Sequence, residues 1–116
     1  MGKLVDDFNA YRTKMNEKIL AADNKVMKRI YSVDTLAYQN GALNSKVKEM
    51  LGLIASMVLR CDDCVKYHLE KCFEQEVTTG EIFEIFSLAN LVGGTIVIPH
   101  TRKAVEYWEE LISSEN

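Results

Sequence analysis

A single proline, Pro99, and six glycines in 116 residues leave this chain few places to break a helix. Helical spacing runs almost from end to end. Residues 3–22 place Leu4, Phe8, Tyr11, Met15, Ile19 and Leu20 on a narrow apolar stripe. Residues 25–39 continue through Val26, Ile30, Val33, Leu36 and Ala37, and Asn40-Gly41 then signals a turn. Asn44 or Ser45 is suited to cap a helix over 45–61. Its apolar face, Val47, Met50, Leu51, Ile54, Met57, Val58 and Cys61, is broad, with Leu53 and Leu59 off that face. Such breadth implies burial on more than one side, in the core or against another subunit. A helix over 62–75 begins at a cysteine pair. Thr78-Thr79-Gly80-Glu81 reads as a capping box for the next one. Gly93-Gly94 interrupts the pattern, and Pro99 fits the first turn of a last helix bearing Val105, Tyr107, Trp108, Leu111 and Ile112. Ile96-Val97-Ile98 has strand composition but no second strand to pair with. The expected fold is all-α, one domain over 1–116.

The net charge of −3, without a basic block, disfavours a nucleic-acid partner. The start, Met1-Gly2-Lys3-Leu4-Val5-Asp6-Asp7, lacks the apolar core of a signal peptide, and Asp6 stands where a myristoylation motif needs Ser or Thr. The longest apolar stretches, 50–59 and 88–98, are too short to cross a bilayer, so no membrane partner is expected. A cytoplasmic location follows as the expectation. There, a cysteine pair is more often catalytic or metal-binding than a structural staple.

The pair lies in Cys61-Asp62-Asp63-Cys64-Val65-Lys66-Tyr67-His68. On one helix, Cys61, Cys64, His68 and Cys72 share a stripe. Three chemistries compete for them. Free cysteines pack well as small hydrophobes, which suits Cys72. It suits the other three poorly, because Asp62, Asp63 and Lys66 mark a wet boundary. Zinc accepts these ligand types, but a closed site needs four, and Cys61 and Cys72 would stand about 16 Å apart on a straight helix. Dithiol redox chemistry needs a low-pKa thiolate, a second thiol to trap its sulfenic acid, and a proton carrier. Cys64 in a first helical turn, Cys61 and His68 supply these three.

Three stretches carry a resemblance to a known family: Gly41-Ala42-Leu43-Asn44-Ser45-Lys46-Val47-Lys48-Glu49-Met50-Leu51, the Cys-x-x-Cys-x-x-x-His, and then Glu81-Ile82-Phe83-Glu84-Ile85 with Gly93-Gly94. Over roughly 40–110 the chain resembles the carboxymuconolactone decarboxylase superfamily, in its AhpD-like alkylhydroperoxidase branch. The resemblance implies a subunit of about six helices in a ring-shaped homo-oligomer, a trimer or hexamer, with no organic or metal cofactor. It implies a peroxidase and thiol-disulfide centre acting on organic hydroperoxides. Cys64 would attack peroxide. Cys61 would form the disulfide and meet a dithiol reductant, a lipoylated or thioredoxin-like protein. Glu49, twelve residues before Cys61, would join His68 in a proton relay. Two other functions belong beside this one: a decarboxylase of the kind that names the superfamily, and a non-catalytic oligomeric binding module holding zinc or a protein.

Two features bear on the relay. On one straight helix, Glu49 and Cys61 would be about 18 Å apart, so the chain bends between them or Glu49 serves another subunit. Asp63 occupies a position that is often histidine in AhpD proper, and a carboxylate beside Cys64 raises the thiol pKa. Arg60, Lys66 and Lys71 are the cations at hand to offset it. His100, after Pro99, reads as an exposed residue at a helix start. Tyr67 and Trp108 read as core or interface aromatics.

Overall fold

The computed structural model describes residues 2–114. Six α-helices follow one another: α1 (Lys3–Ala21), α2 (Lys25–Ala37), α3 (Ser45–Val58), α4 (Asp62–Glu74), α5 (Thr79–Gly93) and α6 (Ile98–Ser113). No strand occurs among the described residues. Ile96-Val97-Ile98 falls in a one-turn 3-10 helix, Thr95–Val97, and the start of α6.

Local chemistry sets most boundaries. The Asn44 side chain accepts the Val47 N–H at 2.9 Å and starts α3. Thr78 and Glu81 form the reciprocal capping box at α5. Gly94, at φ 86, ends α5 in a conformation that costs glycine little. The start of α1 has no cap of its own. Instead Glu110 of α6 brings its carboxylate to the N–H groups of Leu4 and Val5, at 3.3 and 2.6 Å, and so ties α1 to α6.

The bend between Glu49 and Cys61 is a helix end. Arg60 takes a left-handed φ of 60°. Its N–H donates to Met57 O, and the Cys61 N–H donates to Ser56 O, each at 3.0 Å. This is the Schellman pattern, built without the usual glycine. The chain reverses within three residues, and α4 runs back antiparallel along α3. At the far end, Gln75 Nε2 donates to Ser45 Oγ at 3.0 Å.

Helices α3 to α6 surround the core, where Leu53, Met57, Leu69, Ile82, Tyr107 and Trp108 are buried. Trp108 reaches Thr79 Oγ1 with its indole N–H at 3.0 Å. The inner face of α3 therefore centres on Leu53, a residue outside the broad apolar face expected from sequence. Val47 and Leu51, on that face, are exposed. Helix α1 contributes Val5 and Phe8 to the core, but Tyr11 and Leu20 of its stripe are exposed. Helix α2 buries no residue. Its Val26, Ile30, Val33 and Leu36 are 53–67% exposed.

Candidate functional site: a disulfide beside a buried histidine-glutamate pair

The reversal after Arg60 makes Cys61 the N-cap of α4. Its Sγ accepts the Cys64 N–H at 3.3 Å. Cys61 and Cys64 form a disulfide, with Cα atoms 5.2 Å apart. Cys64 thus sits in the first turn of α4, where unpaired N–H groups and the helix dipole favour a thiolate once the bond is reduced.

One turn further, His68 is buried and its Nδ1 lies 2.8 Å from Glu49 Oε1. Both side chains are at most one-tenth exposed. Glu49 therefore meets the histidine of its own chain. The antiparallel α3/α4 hairpin closes the 18 Å that a straight helix would impose. A buried carboxylate accepting from Nδ1 orients the ring and leaves Nε2 as the nitrogen turned to the rest of the site.

Nε2 faces Tyr38, whose hydroxyl is 3.5 Å away, the outer edge of hydrogen bonding. Burial, helped by the charges of Glu49 and Asp34, pushes the Tyr38 hydroxyl above its usual range. It stays protonated at neutral pH and can donate to Nε2. The rings of Tyr38 and Tyr67 flank His68, with centroids 5.4 and 5.2 Å away. Tyr67 thus lines the site, and Trp108 lies in the core. Tyr38 has no sequence signal: it is the C-cap of α2, outside any motif.

Gly52 makes this packing possible. A Cβ there would stand 2.6 Å from His68 Cε1 and 2.7 Å from the Tyr38 hydroxyl. Ordinarily alanine gains about 0.5–1 kcal/mol over glycine inside a helix. Here overpacking costs about 1–3 kcal/mol. Gly52→Ala is therefore expected to lower stability in urea denaturation, and a gain would show that His68 and Tyr38 move aside freely.

The two acids after Cys61 have different surroundings. Asp62 accepts from His100 Nδ1 at 2.7 Å and from Lys103 Nζ at 3.1 Å. Partial burial pushes its carboxyl up, but these hydrogen bonds outweigh burial and hold it below the usual range. His100 is hence not an exposed helix-terminal residue; it joins α6 to the first turn of α4. Asp63 is exposed, and among the described residues none of Arg60, Lys66 and Lys71 pairs with it. Cys72 is fully buried and free, and desolvation pushes its thiol up to about 12. It is a packing residue and stays protonated.

Cys64 and His68 open into a cavity of about 360 Å³. One face of α1 (Phe8, Arg12, Met15) lines it, together with Asp34, Asp63 and Tyr67. Two larger hollows, of about 550 and 600 Å³, border α2 and hold neither cysteine. No group of three or more His, Cys, Asp and Glu converges as metal ligands among the described residues. Cys61, Cys64 and His68 do not present three free zinc ligands in this state: the two sulfurs bond each other, and His68 Nδ1 is engaged by Glu49. No described helix is long and apolar enough to cross a membrane.

Residues 24–107 match the model of the carboxymuconolactone decarboxylase family. The chain is similar to TM1620 of Thermotoga maritima, with 46% identity and a TM-score of 0.91 over 94% of this chain and 96% of that one. A second crystal structure of TM1620 gives 45% identity and a TM-score of 0.90 over 94% and 92%; a role in antioxidative response has been suggested for that protein, which is assigned to the same family. A Legionella pneumophila member shares the fold at 22% identity, with a TM-score of 0.86 over 95% and 98%. An uncharacterized Cupriavidus necator protein is 25% identical over 93% of this chain and 98% of its own. The cysteine pair is consistent with the AhpD-like branch. The chain belongs to the carboxymuconolactone decarboxylase family.

Proposed function

We propose that this protein is a dithiol peroxidase that reduces organic hydroperoxides through Cys64 and Cys61, with His68 as proton carrier and Glu49 holding it. The observation that carries the reading is the Cys61–Cys64 bond at the start of α4, one turn from the buried His68–Glu49 pair. The antioxidative role suggested for the Thermotoga maritima relative supports it.

In the reduced protein, His68 Nε2 takes the proton of Cys64. The thiolate attacks the distal oxygen of the hydroperoxide, and the O–O bond breaks. Cys64 becomes a sulfenic acid. The alkoxide leaves as the alcohol with the proton returned by His68, and Glu49 offsets the charge on the imidazolium in between. Cys61 then attacks the sulfenic sulfur and expels water, which gives the disulfide. An external dithiol, from a lipoylated or thioredoxin-like protein, attacks Cys61 and leaves as its own disulfide. Each cycle thus turns one hydroperoxide and one dithiol into one alcohol, one water and one disulfide. No organic or metal cofactor enters.

The subunit also acts as a homo-oligomer in this reading, a trimer or hexamer in the cytoplasm. The bare stripe of α2 supports burial against a second copy, as do Leu59, Leu91 and Val92, at 73–80% exposure.

The test supplies cumene hydroperoxide with dihydrolipoamide, then with reduced thioredoxin. Repeated turnover of hydroperoxide, matched one-to-one by dithiol oxidation and limited to one equivalent in Cys61→Ser, is expected with at least one of them. Dithiol oxidation that proceeds equally well without hydroperoxide would reduce the function to disulfide exchange.

A further inference from the structure

The cavity that opens on Cys64 carries a cation with no counter-ion among the described residues. The Arg12 guanidinium lies over the Tyr67 ring, 4.5 Å from its centroid, and 5.6 Å from that of Phe8. Among the described residues it makes no ion pair and no hydrogen bond. Ring faces hold the plane of the guanidinium but satisfy none of its five N–H donors. A partly buried, unmatched guanidinium on the wall of a cavity is suited to a planar acceptor with two oxygens.

Two further cations lie near these rings. Lys66 Nζ is 5.5 Å from the Phe8 centroid, and Lys71 Nζ is 5.6 Å from that of Tyr67. Three cations therefore lie against the two rings; Lys71 is paired with Glu74 at 3.4 Å, and of the three only Arg12 lines the cavity. The acids in the cavity wall are Asp34 of α2 and Asp63 of α4, and neither lies within ion-pair reach of Arg12. Phe8, Met15 and the tyrosine rings supply apolar wall, and Asn16 is a further polar residue there. At about 360 Å³ the cavity is near the small end of ligand sites.

We infer that Arg12 is a specificity residue that binds the carboxylate of small organic acids bearing a hydroperoxide, while their apolar body lies along α1 toward Cys64. The inference rests on the peroxidase reading for its chemistry, but the anion site stands on the geometry alone. Asp34 and Asp63 then serve to orient the molecule. The acid end is turned away from the cysteines, and the hydroperoxide is left facing Cys64.

The test compares cumene hydroperoxide with its para-carboxylate analogue, a pair that shares one reacting group. Pre-reduced protein is mixed with each, and the rate constant for disulfide formation is read by quenched-flow mass spectrometry, so no reductant is needed. Wild type is expected to react about tenfold faster or more with the carboxylate. Arg12→Gln is expected to erase that preference, bringing the ratio of the two rate constants near one. Arg12→Lys, which keeps the charge and loses the fork, should fall between; it also decides the matter if Arg12→Gln does not fold. Equal rates for the two probes in wild type, or an equal loss for both in Arg12→Gln, would overturn the inference. If neither probe oxidises the pair, the peroxidase reading fails. Binding of para-isopropylbenzoate, a non-reactive acid of the same shape, then decides the anion site by itself. Binding lost in Arg12→Gln sustains it, and no binding to wild type overturns it.

Discussion

Replacing Cys64 with serine is expected to abolish hydroperoxide reduction, with turnover down at least about a thousandfold, or roughly 4 kcal/mol on the barrier. A serine hydroxyl has no accessible anion at neutral pH, and neither the first turn of α4 nor His68 can create one. The neighbouring cysteines sharpen the expectation. Cys61→Ser leaves the attacking sulfur intact, so one equivalent of hydroperoxide is still consumed. The sulfenic acid then has no thiol to meet, and excess oxidant drives it to sulfinic acid, a gain of two oxygens at Cys64. Cys72→Ser should leave the rate within about twofold, because that thiol is buried away from the cavity. Its cost falls on stability, at about 1–3 kcal/mol for a hydroxyl buried without a partner. Steady-state peroxide consumption with each variant, followed by mass spectrometry of the peptides, separates the three. Normal turnover in Cys64→Ser would remove the sulfur from the mechanism.

Glu49→Gln has the second largest expected effect, about a hundredfold loss in the rate of reaction with hydroperoxide. The amide is nearly the same size and its oxygen can still accept the Nδ1 hydrogen at the 2.8 Å position. The negative charge that steadies the imidazolium is lost. Glu49→Ala is a different experiment: it leaves His68 Nδ1 buried without its partner and is expected to cost about 1–3 kcal/mol of stability. The informative variant is therefore the glutamine, read as a rate at unchanged unfolding midpoint. A rate within twofold of wild type would reduce the pair to a packing element.

The fold was legible because its punctuation is chemical. Asn44, the Thr78/Glu81 box, Gly94 and Pro99 each begin or end a helix at a position that the residue type dictates. The reversal at Arg60 was legible only as one of two alternatives, a bend between Glu49 and Cys61, since arginine carries no left-handed signal to place it. That turn decided whether Glu49 could reach His68. For the site, the Cys-x-x-Cys-x-x-x-His spacing and the family resemblance singled out the two cysteines, His68 and Glu49. Tyr38, Gly52 and Arg12 were invisible, because each matters only through contact with a residue distant in sequence. Asp62 was overlooked beside Asp63, yet it is the one gripped by His100 and Lys103. Periodicity also misjudged where apolar residues go. The stripes of α1 and α2 have the spacing of core faces, and most of that surface is bare in the single subunit.

The central claim is that Cys61 and Cys64 are a redox pair poised to react with hydroperoxide. The direct measurement is intact and peptide mass spectrometry of fully reduced protein after one equivalent of cumene hydroperoxide, sampled over seconds. The account predicts rapid loss of two hydrogens in the peptide that joins Cys61 to Cys64, far faster than a free thiol reacts, with Cys72 unchanged. Oxidation at a free-thiol rate, or none at all, would contradict it.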